Sequence, residues 1–387
     1  MNPVASTDTS VRSVSDHRRD LRAWLREHPE LPARLEHEPV EIEPALAEEQ
    51  LLQRELWDAG FGRRGWPVEQ GGLGGSAVLR AVTYEELVLA GHRVPQPSYT
   101  LETLCPALIR FAPDLASEVL PPALRGDEIW CQGFSEAEAG SDLASLACRA
   151  TPVGDDWALT GHKLWSSFGH VSQRSAVLAR TGEPGHRGIS MFLVDLEGAS
   201  VETPAIRASG GRNEFSEIVF DHHLVAGSRL VGEPGQGWAI AMYLLQWERG
   251  MYAWQRQATL RARLAAASER VTGSASSRAT NDRVARAWTL LSALRRRSVR
   301  TVRLLADGES PGPEVSIDKI LLSQSEQAVM DVVRLSHGAA FIDSDDPEDE
   351  LVRNEWFYSR AASIYGGAVD IQKSIVAEHV LGLPRSR

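Results

Sequence analysis

Trp130-Cys131-Gln132-Gly133-Phe134-Ser135-Glu136-Ala137-Glu138-Ala139-Gly140-Ser141-Asp142 is an apolar run that breaks into a turn of small residues, acids and hydroxyls. Further on the chain reads Gly161-His162-Lys163-Leu164-Trp165-Ser166-Ser167-Phe168-Gly169. Glycine and serine in the first block let backbone N–H groups approach a ligand closely. The second block sets a tryptophan beside two hydroxyls, a pairing that suits a planar ring with polar edges: the indole packs on it and the hydroxyls meet its heteroatoms. Two ordinary turns of a β domain would look the same by pattern alone.

Working outward, residues 127–233 alternate with a period near two. Trp157–Thr160, Ala176–Arg180, Ser190–Val194 and Glu217–Phe220 read as strands, separated by turn signals at Gly154-Asp155-Asp156, Gly182-Glu183-Pro184-Gly185 and Gly210-Gly211. A small barrel or sandwich is expected there. His222 and His223 read as strand-end surface residues, since no acid or cysteine sits at ligand spacing.

The flanks are helical. Residues 1–126 carry i, i+3, i+4 apolar spacing at Leu21, Trp24 and Leu25, with Glu85 and Glu86 expected on a polar face; residues 1–14 are polar and expected to be disordered. The loop Gln70-Gly71-Gly72-Leu73-Gly74-Gly75 has no following Lys-Ser/Thr and no preceding strand, so it fails the context test for a phosphate loop. Residues 234–387 read as a bundle of four or five helices, the first running from Gly237 to about Arg270. The order is helices, β domain, helices: an α+β chain of three parts.

Within that first bundle helix, Ile240, Leu244, Trp247, Met251 and Trp254 line one side, and Trp238, Met242, Leu245 and Tyr252 another. A helix apolar on most sides is buried. Glu248 lies inside the stretch, followed by Arg249. A buried carboxylate is costly unless paired or functional. Neighbours in a helix do not face each other, so Arg249 is not expected to pair with it directly.

Composition is that of an ordinary globular protein, 43% hydrophobic and 24% charged. A net charge of −11 without a basic stripe argues against nucleic acid as a partner, and Arg295, Arg296 and Arg297 read as a solvated helix face. Three scattered cysteines form neither a disulfide framework nor a metal-ligand spacing, which fits a cytoplasmic setting. No apolar run approaches the roughly 18 residues that would span a bilayer.

Gly133-Phe134-Ser135-Glu136-x-x-Ala139-Gly140-Ser141-Asp142 resembles the signature of the acyl-CoA dehydrogenase family, and Gly161-x-Lys163-x-Trp165-x-Ser167 resembles its second block. A third match is Ile364-Tyr365-Gly366-Gly367-Ala368-Val369-Asp370-Ile371-Gln372, ending in Leu381-Gly382-Leu383-Pro384-Arg385. The blocks keep the family's order over nearly the whole length, and the Gly-Gly pair is similar to actinobacterial members. The resemblance implies FAD between the β domain and the C-terminal bundle, with an acyl thioester beside its ring. It implies that Ser135 bonds the flavin pyrimidine, with backbone from Gln132 to Phe134 at its edge. Trp165 and Ser167 would pack on the ring and reach its N5 side; Ala368 would lie on the cofactor, and Ser141 near the pantetheine arm. It implies that the Gly366 N–H helps hold the thioester carbonyl. The usual setting is fatty acid metabolism, with electrons leaving through an electron-transfer flavoprotein and a homotetramer, a dimer or a mixed tetramer as the assembly.

Many members carry their base just after the tyrosine of the third block. Gly366 stands there and cannot serve. A subset places a glutamate on the first bundle helix before an arginine, and Glu248-Arg249 matches that arrangement. Departures also occur: Ala137 for proline, Ala368 for threonine, no Arg-x-x-Phe in the loop at 271–278, and Leu335-Ser336-His337-Gly338-Ala339 for the Gln-x-x-Gly-Gly stretch that holds the adenine half of FAD. A flavin oxidase or oxygenase, and a non-catalytic partner subunit, remain as alternative readings.

Overall fold

The computed structural model describes residues 13–272 and 277–384. Residues 1–12, the centre of the loop at 271–278, and Arg385 of the third block lie outside them. The polar composition predicts disorder up to residue 14, but Ser13 already caps the first helix: its Oγ accepts from Asp16 N at 3.1 Å.

Among the described residues five α-helices come first: α1 (Val14–Glu27), α2 (Ile42–Asp58), α3 (Ala77–Leu89), α4 (Gln96–Phe111) and α5 (Pro113–Arg125). Leu21 and Leu25 of α1 pack with Leu52 and Leu56 of α2 and Leu87 of α3, as their spacing requires. Glu85 and Glu86 do not face water. Both are buried, and Arg18 reaches Glu85 at 3.0 Å and Glu86 at 2.6 Å, with Arg22 on Glu86 and Arg295 on Glu85. The acid pair is therefore a docking point for α1 and for the C-terminal bundle. Buried carboxylates are tolerated because each is paired.

Nine strands follow: β1 (Trp130–Gly133), β2 (Arg149–Val153), β3 (Asp156–Ser167), β4 (Arg174–Arg180), β5 (Ile189–Asp195), β6 (Val201–Glu202), β7 (Ala205–Ile206), β8 (Phe215–Val225) and β9 (Leu230–Val231). They form one mixed sheet in the order β6-β8-β3-β2-β4-β5-β9, with β1 parallel to β4 and β7 against β8. The pairings run along an open path rather than a ring. His223 is not a surface residue: it is 7% exposed, with Nδ1 2.9 Å from Ser200 Oγ and Nε2 3.1 Å from the Asp195 carbonyl.

The C-terminal part contains α6 (Gly237–Trp247), α7 (Ala253–Val271), α8 (Arg278–Ala306), α9 (Val315–His337), α10 (Ala340–Asp343), α11 (Pro347–Ala361) and α12 (Val369–Ile375). Leu260 and Leu264 of α7, Leu291 and Leu294 of α8, and Val329 and Val333 of α9 make its core. The arginines 295 and 297 help close it instead of facing solvent. Arg295 lies 4.9 Å over the Trp254 ring, and Arg297 donates to the Glu314 carbonyl at 2.9 Å. Asp370 does not cap α12; Ala368 holds that position, and Asp370 pairs with Lys373 at 3.1 Å. No helix among the described residues is long and apolar enough to cross a membrane. Helices, a mixed sheet and a helical bundle in sequence make the fold α+β.

Candidate active site

The expected single helix from Gly237 is interrupted. Between α6 and α7 the segment Glu248–Tyr252 is a π-helical turn, a rare local widening found often at functional sites. Gly250 lies in its middle. A Cβ there would stand 2.7 Å from Leu305 Cδ1 and 2.9 Å from Thr301 Cγ2, so the missing side chain lets α8 close against the turn. The flanking Ile240, Leu244, Trp247, Met251 and Trp254 are all buried, as the apolar pattern requires.

The turn presents Glu248 and Arg249 to the Gly366–Gly367 pair, which links α11 to α12. Gly366 has φ +59° and Gly367 φ +101°, backbone that favours glycine. There is also no room for a side chain. A Cβ on Gly366 would lie 2.7 Å from Glu248 Oε1 and 3.7 Å from Lys319 Nζ; one on Gly367 would lie 2.5 Å from Gln372 Nε2 and 3.3 Å from Arg249 Nη2. The Glu248 carboxylate thus stands in the volume that a side chain at 366 would occupy. It is half-buried and makes no hydrogen bond or ion pair within 4 Å among the described residues. The Gly366 N–H donates no hydrogen bond among those residues either.

Burial pushes the Glu248 carboxyl up, and the charges of Arg249 and Lys319 pull it part of the way back. Arg249 is itself lowered by burial, against the attraction of Glu248. Lys319 is 3% exposed, and burial lowers its ammonium to about 8, against the attraction of Glu326 and Glu248. Its Nζ donates to the Ala362 carbonyl at 2.9 Å and lies 4.0 Å from the centre of the Tyr365 ring. Tyr365 donates to Glu326 at 2.9 Å and accepts from Tyr252 at 3.2 Å, and Glu326 is held by Arg256 at 2.7 Å. The sequence reading does not find Lys319 or Glu326. A lysine embedded in Ile317-Asp318-Lys319-Ile320-Leu321-Leu322 was the one signal available for the first.

The two N-terminal blocks also meet. Between Lys163 and Ser166 the β3–β8 ladder slips by one residue, and Trp165 takes φ +63°. This bulge throws the indole outward, leaving it 56% exposed. At the same place Leu164 N donates to the Ser135 carbonyl at 2.9 Å, and the fully buried Lys163 Nζ reaches the Phe134 carbonyl at 3.2 Å and Glu136 Oε1 at 2.7 Å. Glu136 in turn accepts from Ala147 N and Cys148 N at 2.7 and 2.9 Å. Lys163 and Glu136, with the Leu164 N–H on the Ser135 carbonyl, therefore fasten the first block to the second. Gln132, Ser135 and Ser167 are half-buried, and their side chains hydrogen-bond to nothing among the described residues. Ser141 is exposed on the following turn, apart from both groups. Ala368, at the start of α12, adds only backbone.

A run of aromatic rings connects the two halves. Trp165 meets Phe215 edge-on at 6.0 Å; Phe215 stacks on Tyr358 of α11 at 6.2 Å and 8°; Tyr358 lies 5.6 Å from Tyr365. The chain of contacts runs from the exposed indole to the residue before Gly366. An exposed indole beside unpartnered hydroxyls and an amide fits a planar heterocycle with polar edges, and the residues present suit the isoalloxazine of FAD.

The chain matches the family descriptions "Acyl-CoA dehydrogenase, middle domain" over residues 131–223 and "Acyl-CoA dehydrogenase, C-terminal domain" over 235–381. It is 35% identical over 363 residues to the acyl-CoA dehydrogenase IpdE1 of Mycolicibacterium smegmatis, covering 88% of this chain and 91% of the relative. To IpdE1 of Mycobacterium tuberculosis it is 34% identical over 389 residues, covering 97% and 99%. Among solved structures it is similar to the Tcur3481-Tcur3483 steroid ACAD, with a TM-score of 0.81, 25% identity and coverage of 97% of this chain and 100% of that one. Matched in its β part and its bundle alike, and along nearly the full length of both mycobacterial relatives, the chain belongs to the acyl-CoA dehydrogenase family.

Proposed function

We propose that the protein is an FAD-dependent α,β-dehydrogenase of an acyl thioester with Glu248 as its base. One observation carries the reading: Glu248 Oε1 lies 2.7 Å from the Gly366 Cβ position, on a residue whose N–H has no hydrogen bond among the described residues. A base and a carbonyl-binding donor must act on adjacent atoms of the substrate, and the closeness of Glu248 to Gly366 supports these roles.

Gly366 N–H donates to the thioester oxygen and polarises it, which acidifies the neighbouring α C–H. Glu248 takes that proton: its O–H bond forms as the C–H bond breaks, and the electron pair moves toward the carbonyl. Burial raises the affinity of Glu248 for a proton, so it is a stronger base than an exposed carboxylate. FAD, when bound, supplies the acceptor for the β-hydride. Trp165, Ser135, Ser167, the Gln132–Phe134 backbone and Ala368 would hold it, while Ser141 would meet the pantetheine arm.

The substrate is proposed to be a thioester of a steroid-derived acid, a reading supported by the likeness to the steroid ACAD. An electron-transfer flavoprotein is the proposed acceptor, and an assembly containing a second kind of subunit is favoured over a homotetramer by the two-part name of that same relative. The cytoplasm is the proposed location. In Glu248→Gln the flavin absorbance should remain while bleaching by a thioester panel, steroid-derived members included, is lost. Full activity in that variant would remove Glu248 as the base.

A further inference from the structure

Lys319 is a buried charge close to both halves of the proposed chemistry. It sits on α9 between Ile317 and Leu322 and is 3% exposed, yet among the described residues its ammonium has a single hydrogen bond, 2.9 Å to the Ala362 carbonyl at the end of α11. Its second contact is the face of Tyr365, 4.0 Å away. Both partners lie on the stretch that leads into Gly366, and Nζ stands 3.7 Å from the position where a Gly366 Cβ would be. Glu248 Oε1 is 2.7 Å from that same point.

We propose that Lys319 is a positioning residue for α-proton abstraction, holding the Tyr365–Gly366 turn in place and supplying the fixed positive charge that Glu248 and the substrate oxygen both face. The proposal rests on Glu248 being the base. A lysine that merely glued α9 to α11 would need a helix-end carbonyl, and Ala362 provides one. What exceeds that role is the placement beside Gly366. When Glu248 takes the proton it loses its negative charge, and a negative charge grows on the thioester oxygen at the Gly366 N–H. The charge begins and ends close to one ammonium. A desolvated cation so placed favours the ionised base before transfer and the oxyanion after it, without moving.

Other charges face this pair. Arg249 approaches from the π-helical turn, Glu326 lies further along α9, and Arg256 of α7 pairs with Glu326. Tyr252 and Tyr365 form the aromatic wall. Asp318 turns to Arg297 and Thr301 of α8, and on α12 Asp370 and Lys373 pair at the surface. Of these only Arg249 also acts on Glu248 as a cation.

The test is the pH dependence of turnover in the purified flavoprotein, using thioester and an artificial acceptor, for wild type, Lys319→Gln, Lys319→Arg and Glu248→Gln. In Lys319→Gln, kcat should fall roughly tenfold or more near pH 6 and by less as pH rises, because without the cation the base ionises only at higher pH. Lys319→Arg should keep the acid limb where wild type has it. Wild type itself should lose turnover above about pH 8 as the ammonium deprotonates, a readout that needs no folded variant. An unmoved acid limb in Lys319→Gln, or a wild-type profile flat to pH 10, overturns the proposal. An active Glu248→Gln overturns the reading of the base instead.

Discussion

Replacing Gly366 by alanine sets one methyl group against the proposed base. At φ +59° an L-residue pays roughly 1–2 kcal/mol in backbone strain. The new Cβ would start 2.7 Å from Glu248 Oε1, and ordinary contact begins at 3.4 Å, so the carboxylate must retreat by about 0.7 Å. That retreat is inexpensive for stability, because the obstacle is the far end of a flexible side chain with no hydrogen bond to break. It is expensive for chemistry, since a 1 Å misplacement can cost about a hundredfold. Gly366→Ala should therefore lose only about 2–5 °C in Tm while the rate of anaerobic flavin reduction by thioester falls roughly 30–100-fold. Stopped-flow absorbance and a thermal melt on the same preparation measure both. A variant reducing its flavin within threefold of the wild-type rate would refute the reasoning, because the carboxylate would then not depend on the space above Gly366.

Two further outcomes follow from charges away from the base. Lys163→Met leaves Glu136 with two backbone N–H partners but no cation in a buried site, a loss on the order of 3–5 kcal/mol. Tm should drop by roughly 5–10 °C and flavin content should fall with it; a Tm within 2 °C of wild type would contradict the fastening role. Glu355 is pushed up by burial but pulled further down by Arg263, Arg256 and Arg212, to about 2, so its contribution is full above 4.5 and is lost as pH falls toward 2. Glu214 is pushed up to about 7 by burial and then by Glu355, so its penalty is absent below 4.5 and grows as pH rises to 7. Thermal melts of Glu214→Gln against wild type should coincide near pH 4.5 and diverge toward pH 7, with the variant the more stable; parallel curves would disprove it.

The sequence made Glu248 visible because a carboxylate among Trp247, Met251 and Trp254 breaks an otherwise apolar helix. It did not reveal the π-helical turn, whose only trace is Gly250, since a glycine in a helix has several causes. The family resemblance points to Ser135 and Trp165, but not to the bulge that exposes the indole, which depends on the register of β8. Lys319 was illegible for a different reason. A lone lysine among isoleucines and leucines matches the polar edge of any amphipathic helix, and only the packing of α9 against the Ala362 carbonyl buries it. Glu85, Glu86, Arg295 and Arg297 are illegible in the same way: charge in a sequence points to solvent, whereas here opposite charges from distant segments pair with one another.

One group of ion pairs ties the order of synthesis to the order of folding. Glu38 binds Arg212 at 2.9 Å and Arg263 at 3.5 Å, and Arg263 also faces Glu355 at 3.7 Å. Glu38 and Arg263 are 225 positions apart. At about 5–20 residues per second, the ribosome needs roughly 10–45 s between them. For that interval Glu38 is without Arg263, and Glu85 has its cation on α1 but not yet the one on α8. The Glu38–Arg263 and Glu85–Arg295 contacts form only after the bundle has emerged, so the last third of the chain supplies partners that the first third lacks until then.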